Sequence, residues 1–197
     1  MDQAMLSRGA VIALALLVLA ACETTVAPRQ FPEITFRHLS PIRLDVAKIT
    51  YAPRYRAPVG TPNVGQEFPT PPVVAAERWI ADRLVAVGAS GEAIVSIRRA
   101  TATETRLKVK KGVTGAFTTD QAWRYDGYIE MSIKAVDLNG QRSATATAAA
   151  RQSQTVPEDA SLDGREAVWF GLVEKLMRRF DSAFAVQIRQ DLSGFVK

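Results

Sequence analysis

The sequence has too few cysteines and histidines for a disulfide framework or for a zinc site made of these residues. Its 197 residues include one cysteine and one histidine. A single cysteine excludes an intramolecular disulfide framework, and with a single histidine it excludes a zinc site built from these two residue types. Hydrophobic residues are plentiful, at 47% of the chain, so the composition is that of a folded domain and not of a low-complexity segment.

The N-terminal hydrophobic run is too short to cross a membrane. It extends from Gly9 to Leu19, whereas a spanning helix needs about 20 apolar residues. Arg8 precedes the run and small residues follow it, which is the pattern of a secretory signal peptide. We therefore expect residues 1–21 to be a signal peptide and the remaining chain to be exported, where ATP-dependent activities and nucleic-acid partners are not expected.

The only cysteine lies directly after this segment. Leu19-Ala-Ala-Cys22 resembles the lipobox of bacterial lipoproteins. The resemblance implies cleavage before Cys22, diacylation of its thiol by chains such as palmitate, and acylation of the new amine. Each buried CH₂ contributes about 0.8 kcal/mol of membrane affinity, so several chains give stable anchoring. Glu23 stands where an aspartate retains enteric lipoproteins at the inner membrane, which favours the periplasmic face of the outer membrane.

The exported chain is predicted to contain a tether and one domain. Residues 22–33 have two prolines and no hydrophobic period, which indicates a lipidated tether. Residues 34–197 are predicted to form a single periplasmic α+β domain. Within it, residues 52–72 hold six of the ten prolines, so we expect a long irregular loop there.

Two segments have the period of an amphipathic helix. The first is expected to end at Gly88, and its apolar stripe is Val73, Ala76, Ile80, Leu84 and Val87. The second is expected from about residue 163 to 192, with Asp163 and Glu166 as a capping box. Its apolar stripe is Trp169, Val173, Leu176, Phe180, Phe184 and Ile188.

Alternation of apolar and polar residues predicts the strands. Residues 42–51 are expected to form one strand with a bulge near Ala47-Lys48, and residues 92–103 a second. The last two strands form a hairpin with a type I′ turn at Asn139-Gly140, which places Ile133 opposite Ala146.

The resulting order is strand, helix, three strands, helix. This order predicts an α+β two-layer sandwich, in which a mostly antiparallel four-stranded sheet carries two helices on one face. With the lipobox, this order over residues 34–192 is similar to the LptE-like lipoproteins of lipopolysaccharide assembly. It is more loosely similar to the auxiliary lipoproteins of ABC-type lipid transporters. The resemblance implies a role in envelope assembly or lipid transport, and it assigns no functional residue except Cys22.

Motifs for catalysis are sparse. His38 is not accompanied by a Gly-x-Ser-x-Gly nucleophile elbow. Asp120, Asp126 and Glu130 could in principle form a carboxylate pair for polysaccharide hydrolysis, without support from their spacing. Residues 112–115 match a Gly-x-x-Gly loop, but export and a position between two strands argue against nucleic-acid binding. We predict no catalytic residue, metal or cofactor.

Positive charge is concentrated in residues 98–111, which we call the basic run. It has six lysines and arginines and one glutamate, an excess equal to the net charge of +5 of the whole chain. Such a run attracts lipid headgroups, lipopolysaccharide phosphates or an acidic protein. A solvated hairpin whose charge only aids solubility is the alternative. The predicted binding residues, including one apolar residue of the following loop, are Arg98, Arg99, Arg106, Lys108, Lys110, Lys111 and Phe117.

Three functions are therefore open. The leading hypothesis is a non-enzymatic outer-membrane lipoprotein that binds a membrane-protein partner, such as a β-barrel, or an anionic glycolipid. The first alternative is an auxiliary subunit of an ABC-type lipid transporter, which predicts co-purification with a permease. The second is an envelope polysaccharide hydrolase, which requires paired carboxylates in one cleft.

Overall fold

Six strands and two helices make up the regular structure in residues 30–52, 55–108 and 121–197, which are the residues that the computed structural model describes. In chain order the elements are β1 (Ile42–Leu44), β2 (Lys48–Tyr51), α1 (Pro72–Arg83), β3 (Leu84–Ala86), β4 (Glu92–Arg106), β5 (Gln121–Val136), β6 (Ser143–Pro157) and α2 (Leu162–Asp191). Short 3₁₀ turns occupy Gly65–Glu67 and Ser193–Phe195.

The main sheet has four strands in the order β2-β4-β5-β6. Neighbours β4 and β5 are antiparallel, as are β5 and β6, whereas β2 pairs in parallel with β4. A separate two-stranded sheet joins β1 and β3 in parallel. The predicted α+β class and the mostly antiparallel four-stranded sheet are confirmed, and the single parallel pair makes the sheet mixed.

The β5–β6 hairpin has the predicted register, but its turn differs from the expected one. Ile133 lies opposite Ala146. A type I′ turn needs positive φ at both central residues, and only Gly140 has it, at 68°. The Asp137 N–H donates to the Arg142 carbonyl oxygen at 3.0 Å, so residues 138–141 form a four-residue loop. The expected two-residue turn is wrong, yet both loops have the same centre, so the register is unchanged.

The single bulged strand predicted for residues 42–51 is two strands in two sheets. A bulge would have kept both halves in one ladder. Instead, the Asp45 N–H donates to the Phe195 carbonyl oxygen at 2.8 Å, and the Ala47 N–H donates to the Ser90 carbonyl oxygen at 3.0 Å. Residues 45–47 therefore carry the chain from one sheet to the other, and the prediction of one strand is wrong.

Helix α1 is shorter than predicted and buries a different face. It ends at Arg83, and Leu84–Ala86 pair with β1 in place of the last expected turn. Trp79 is fully buried while Ile80, placed in the predicted stripe, is only partly buried. The buried residues of α1 are Pro72, Ala75, Ala76, Trp79 and Arg83. The prediction of a helix reaching Gly88 is therefore wrong.

Helix α2 lies where the periodicity places it, at Leu162–Asp191, and all six residues of its predicted stripe are buried. Its N-cap is Ser161, whose hydroxyl accepts the Gly164 N–H at 3.1 Å, in place of the expected capping box. Both helices contribute to one hydrophobic cluster with the sheet. In this cluster Trp79 stacks on Phe184, with ring centroids 5.3 Å apart.

The proline-rich loop covers part of one sheet edge. The Val64 N–H donates to the Ala102 carbonyl oxygen at 3.0 Å, and the Glu104 N–H donates to the Pro62 carbonyl oxygen at 2.8 Å. These bonds satisfy backbone groups of β4 beyond the end of the short strand β2. Part of the loop therefore acts as a substitute for a neighbouring strand.

The four-stranded sheet has a buried face and a polar face. On β5, Ile129, Met131 and Ile133 are fully buried. Because side chains alternate along a strand, the intervening residues of β5 point the other way. These residues define the polar face, and they include Arg124, Asp126, Tyr128 and Glu130.

Candidate functional site

The structure describes four of the six cations predicted to form the binding surface. Three lie in β4 and one just after it, and all four are exposed: Arg98, Arg99, Arg106 and Lys108. The other predicted site residues lie outside the described part of the chain: Lys110, Lys111, Phe117 and Cys22, the predicted site of lipidation.

A β-bulge decides the face that the first two arginines occupy. The pairing of β4 with β5 shifts between Ile97 and Arg99, so that Ile97 lies opposite Met131 and Arg99 opposite Glu130. Without the extra residue, alternation would direct Arg99 towards the core, as it does Ile97. The bulge therefore places Arg98 and Arg99 together on the polar face.

Arg106 lies on the other side of the sheet. It pairs with Trp123, and its guanidinium carbon lies 5.6 Å from the centre of the indole ring. The nearest residue of β4 on the same side is Glu104, which accepts a hydrogen bond from the buried Tyr125 hydroxyl at 2.5 Å. The structure therefore does not bring Arg106 together with Arg98 and Arg99.

Burial and the bond to Glu104 together change the ionisation of Tyr125. Burial, and then the Glu104 carboxylate, raise the pKa of Tyr125 to about 12. The hydroxyl is therefore protonated at neutral pH and holds β4 to β5 as a hydrogen-bond donor. The Trp169 ring lies edge-on to the Tyr125 ring at 5.5 Å, which joins the pair to α2.

On the polar face, two guanidiniums lie beside one tyrosine ring. The Arg99 guanidinium carbon is 4.8 Å from the Tyr128 ring centre, and that of Arg151 is 5.0 Å from it. Tyr128 is in β5, whereas Arg99 and Arg151 are in the strands on either side of it. The two cations therefore approach the ring from opposite strands, and each such contact is worth about 0.5–1 kcal/mol at an exposed site.

An arginine and a carboxylate complete this group. Arg124 Nε donates to Asp126 Oδ2 at 2.8 Å, and the Ser153 hydroxyl donates to the other Asp126 oxygen. Together these side chains line a shallow pocket of about 270 Å³, which we call the Tyr128 pocket. Its charged and aromatic lining residues are Arg99, Arg124, Asp126, Tyr128 and Arg151.

The charges around the Tyr128 pocket do not balance. Among the described residues, no carboxylate lies within ion-pairing distance of Arg99 or Arg151. Glu130, beside the pocket, forms an ion pair with Arg98 at 3.5 Å and accepts a hydrogen bond from the Tyr128 hydroxyl at 2.9 Å. The pocket itself therefore has three guanidiniums against one carboxylate.

Sequence reasoning missed Arg124 and Arg151, although a signal for both was present. The predicted hairpin register already places Arg151 opposite Tyr128, and alternation along β5 places Arg124 on the same face. Both arginines are isolated cations in the sequence, so neither belongs to the basic run from which the binding residues are predicted.

The other candidates for chemistry are dispersed. His38 is exposed, Asp126 and Glu130 pair with separate arginines, and Asp120 lies outside the described residues. In the described ranges, no three His, Cys, Asp or Glu residues are grouped closely enough to hold a metal ion.

No helix of the described chain has the length and apolar character needed to span a membrane. Compared with known proteins, the chain matches no protein-family model and no curated protein.

Proposed function

We propose that the chain is a non-enzymatic, lipid-anchored protein of the bacterial envelope that binds an anionic glycolipid or an acidic membrane-protein partner. Cys22 carries the anchor, and Glu23 favours the periplasmic face of the outer membrane. The support for the anchor is the sequence from Leu19 to Cys22, and the support for the binding role is the distribution of charge described below.

This proposal rests mainly on the exposed cations of the basic run, most of which have no carboxylate partner within the described chain. Of the four described cations of the basic run, only Arg98 has a carboxylate partner within the described chain. Exposed cations without such partners create a positive potential that attracts anionic headgroups and acidic proteins. Lys110 and Lys111 continue the run, and Phe117 supplies an apolar residue for insertion.

The proposal treats the domain as a two-layer sandwich with both helices on the buried face. Two observations support this arrangement. Residues of α1, α2 and β5 belong to one hydrophobic cluster, and Arg83 of α1 pairs with Asp181 of α2 at 2.7 Å. Of the basic run, Arg98 and Arg99 then lie on the face of the sheet that the helices do not cover.

Reversal of charge in the basic run tests the binding role. The full-length lipidated protein is crosslinked in cells, and crosslinked glycolipid and protein are then identified. The test variant combines Arg106→Glu, Lys108→Glu, Lys110→Glu and Lys111→Glu. The control makes the same change in net charge at exposed cations elsewhere, with Arg43→Glu, Arg56→Glu, Lys175→Glu and Arg178→Glu.

We expect the test variant to lose the crosslinked partner and the control to keep it, because an electrostatic contact depends on the position of the charges and not only on their sum. Equal crosslinking by both variants contradicts the assignment of the basic run. A crosslinked permease in place of a glycolipid or an outer-membrane protein would favour the role of an auxiliary transporter subunit.

A further inference from the structure

We propose that the Tyr128 pocket binds a phosphoryl group. The pocket shares Arg99 with the basic run, but the proposal goes beyond the proposed function because it requires neither the lipid anchor nor the cations from Arg106 onwards. The pocket lies on the polar face, whereas Arg106 lies on the other side of the sheet. The two surfaces can therefore be tested separately.

The cations of the pocket are held by a rigid framework. Arg99, Arg124 and Arg151 come from the three adjacent strands β4, β5 and β6, whose backbones pair along most of their length. The Tyr128 ring lies against two of the three guanidiniums, and Asp126 holds the third through Nε. Side chains that are already ordered lose less conformational entropy when a ligand binds.

The charge of the pocket matches that of a phosphate ester. Three guanidiniums and the Asp126 carboxylate give a net charge of about +2, and a phosphomonoester carries about −1.5 to −2 at neutral pH. The planar guanidinium can donate two parallel hydrogen bonds to phosphate oxygens, which favours arginine at such sites. A carboxylate ligand would leave part of this positive charge unbalanced.

The hydroxyl groups and the volume of the pocket limit the range of suitable ligands further. Thr101 and Thr103 line the pocket, and a threonine hydroxyl can donate to a ligand oxygen. A volume of about 270 Å³ lies just below the range of about 300–1,000 Å³ that is usual for whole small-molecule ligands. The pocket therefore suits a phosphoryl group and the atoms next to it, with the rest of the ligand outside.

Such a group has two possible sources, a lipid headgroup or a soluble phosphate ester, and one experiment separates them. The full-length lipidated protein is placed in phosphatidylcholine nanodiscs with or without phosphatidic acid. Binding of glycerol 3-phosphate is then measured by calorimetry. We expect binding in discs of phosphatidylcholine alone. Loss of this binding in discs with phosphatidic acid identifies a lipid headgroup as the occupant, and unchanged binding identifies a soluble ester.

Two neighbouring arginines supply the matched variants. Arg99→Gln removes a cation of the pocket, whereas Arg98→Gln removes the same charge one residue away from a side chain that pairs with Glu130. We expect Arg99→Gln and Arg151→Gln each to weaken glycerol 3-phosphate binding about tenfold, the usual effect of losing one charge-assisted hydrogen bond. Arg98→Gln is expected to have little effect. Unchanged thermal unfolding verifies that each variant is folded.

Two results would overturn the proposal. One is no glycerol 3-phosphate binding in phosphatidylcholine discs, and the other is equal weakening by Arg98→Gln and Arg99→Gln, which indicates unspecific attraction. The variant with four glutamates at residues 106, 108, 110 and 111 separates this site from the proposed function. If it loses its crosslinked partner but still binds glycerol 3-phosphate, the two sites are independent.

Discussion

At the scale of single residues, the fold alters the ionisation of Tyr125. Its ring is fully buried, and its hydroxyl donates to Glu104. Burial and the neighbouring carboxylate both oppose ionisation, which raises the pKa from 10.0 to about 12. A raised pKa in the folded state means that the stabilisation is fully present below pH 10 and is lost as the pH rises through about 12.

We expect Tyr125→Phe to lower the free energy of unfolding by about 1 kcal/mol near neutral pH, because Glu104 loses its donor. The difference from the wild type should shrink between pH 10 and about 12, because only the wild type loses stability through this ionisation. Urea denaturation over a series of pH values measures both effects. Tyr55→Phe, in the loop before α1, is the control, and a constant difference over this range would contradict the interpretation.

At the scale of elements, the contact between β5 and α2 depends on a position without a side chain. Gly127 lies on β5 under the helix, and a Cβ atom there would be 2.6 Å from Leu172 Cδ2 and 3.2 Å from Leu176 Cδ2. Leu172 and Leu176 are fully buried, so their terminal methyl groups would have to shift within the packed core. Glycine at position 127 therefore allows these two side chains to pack directly on the strand.

We expect Gly127→Ala to destabilise the protein by about 1–3 kcal/mol, the usual effect of overpacking a core. Leu172→Ala alone should cost about 2–5 kcal/mol through the cavity that it leaves. The double variant is expected to cost less than the sum of the two, because the smaller side chain makes room for the new methyl group. Urea denaturation of the four proteins gives the coupling, and additive effects would show that the two positions do not compete for space.

The elements also differ in how far their sequence determines them. The β5–β6 register and the extent of α2 follow from patterns repeated over many residues, with Ile133 opposite Ala146 as expected. Leu84–Ala86 are apolar and fit either a helical stripe or a strand, and pairing with the distant β1 decides between the two. Local periodicity contains no information on such a partner. For the same reason, the sequence of residues 42–51 predicts one strand, whereas the structure has two.

The candidate site follows the same division. The facing positions of Tyr128 and Arg151 can be derived from the hairpin register alone. The position of Arg99 cannot, because it depends on a bulge beside Ile97 that simple alternation does not predict. The Tyr128 pocket therefore combines Arg124 and Arg151, whose face follows from the hairpin, with Arg99, whose face only the three-dimensional pairing reveals.

At the scale of the whole molecule, the proposed lipid anchor and the basic residues differ in how strongly each would hold the protein at a membrane. A basic residue near an anionic surface contributes about 1 kcal/mol, and this contribution falls with added salt. Acyl chains contribute about 0.8 kcal/mol for each buried CH₂, and the proposed chains on Cys22 would bury many of them. If the proposed function holds, the anchor should therefore dominate membrane association, and the exposed arginines should select what the protein contacts at the membrane.

We expect Cys22→Ala to abolish incorporation of labelled palmitate and to shift the protein from the membrane fraction to the soluble fraction. Any remainder should be released by high salt, because only the screened attraction of the basic residues would hold it. Thr24→Ala, two residues further along the proposed tether, is the control and should stay lipidated and membrane-bound. Palmitate label and salt-resistant membrane association in the Cys22→Ala variant would show that the anchor is elsewhere. The basic residues would then have to be considered as part of the attachment itself.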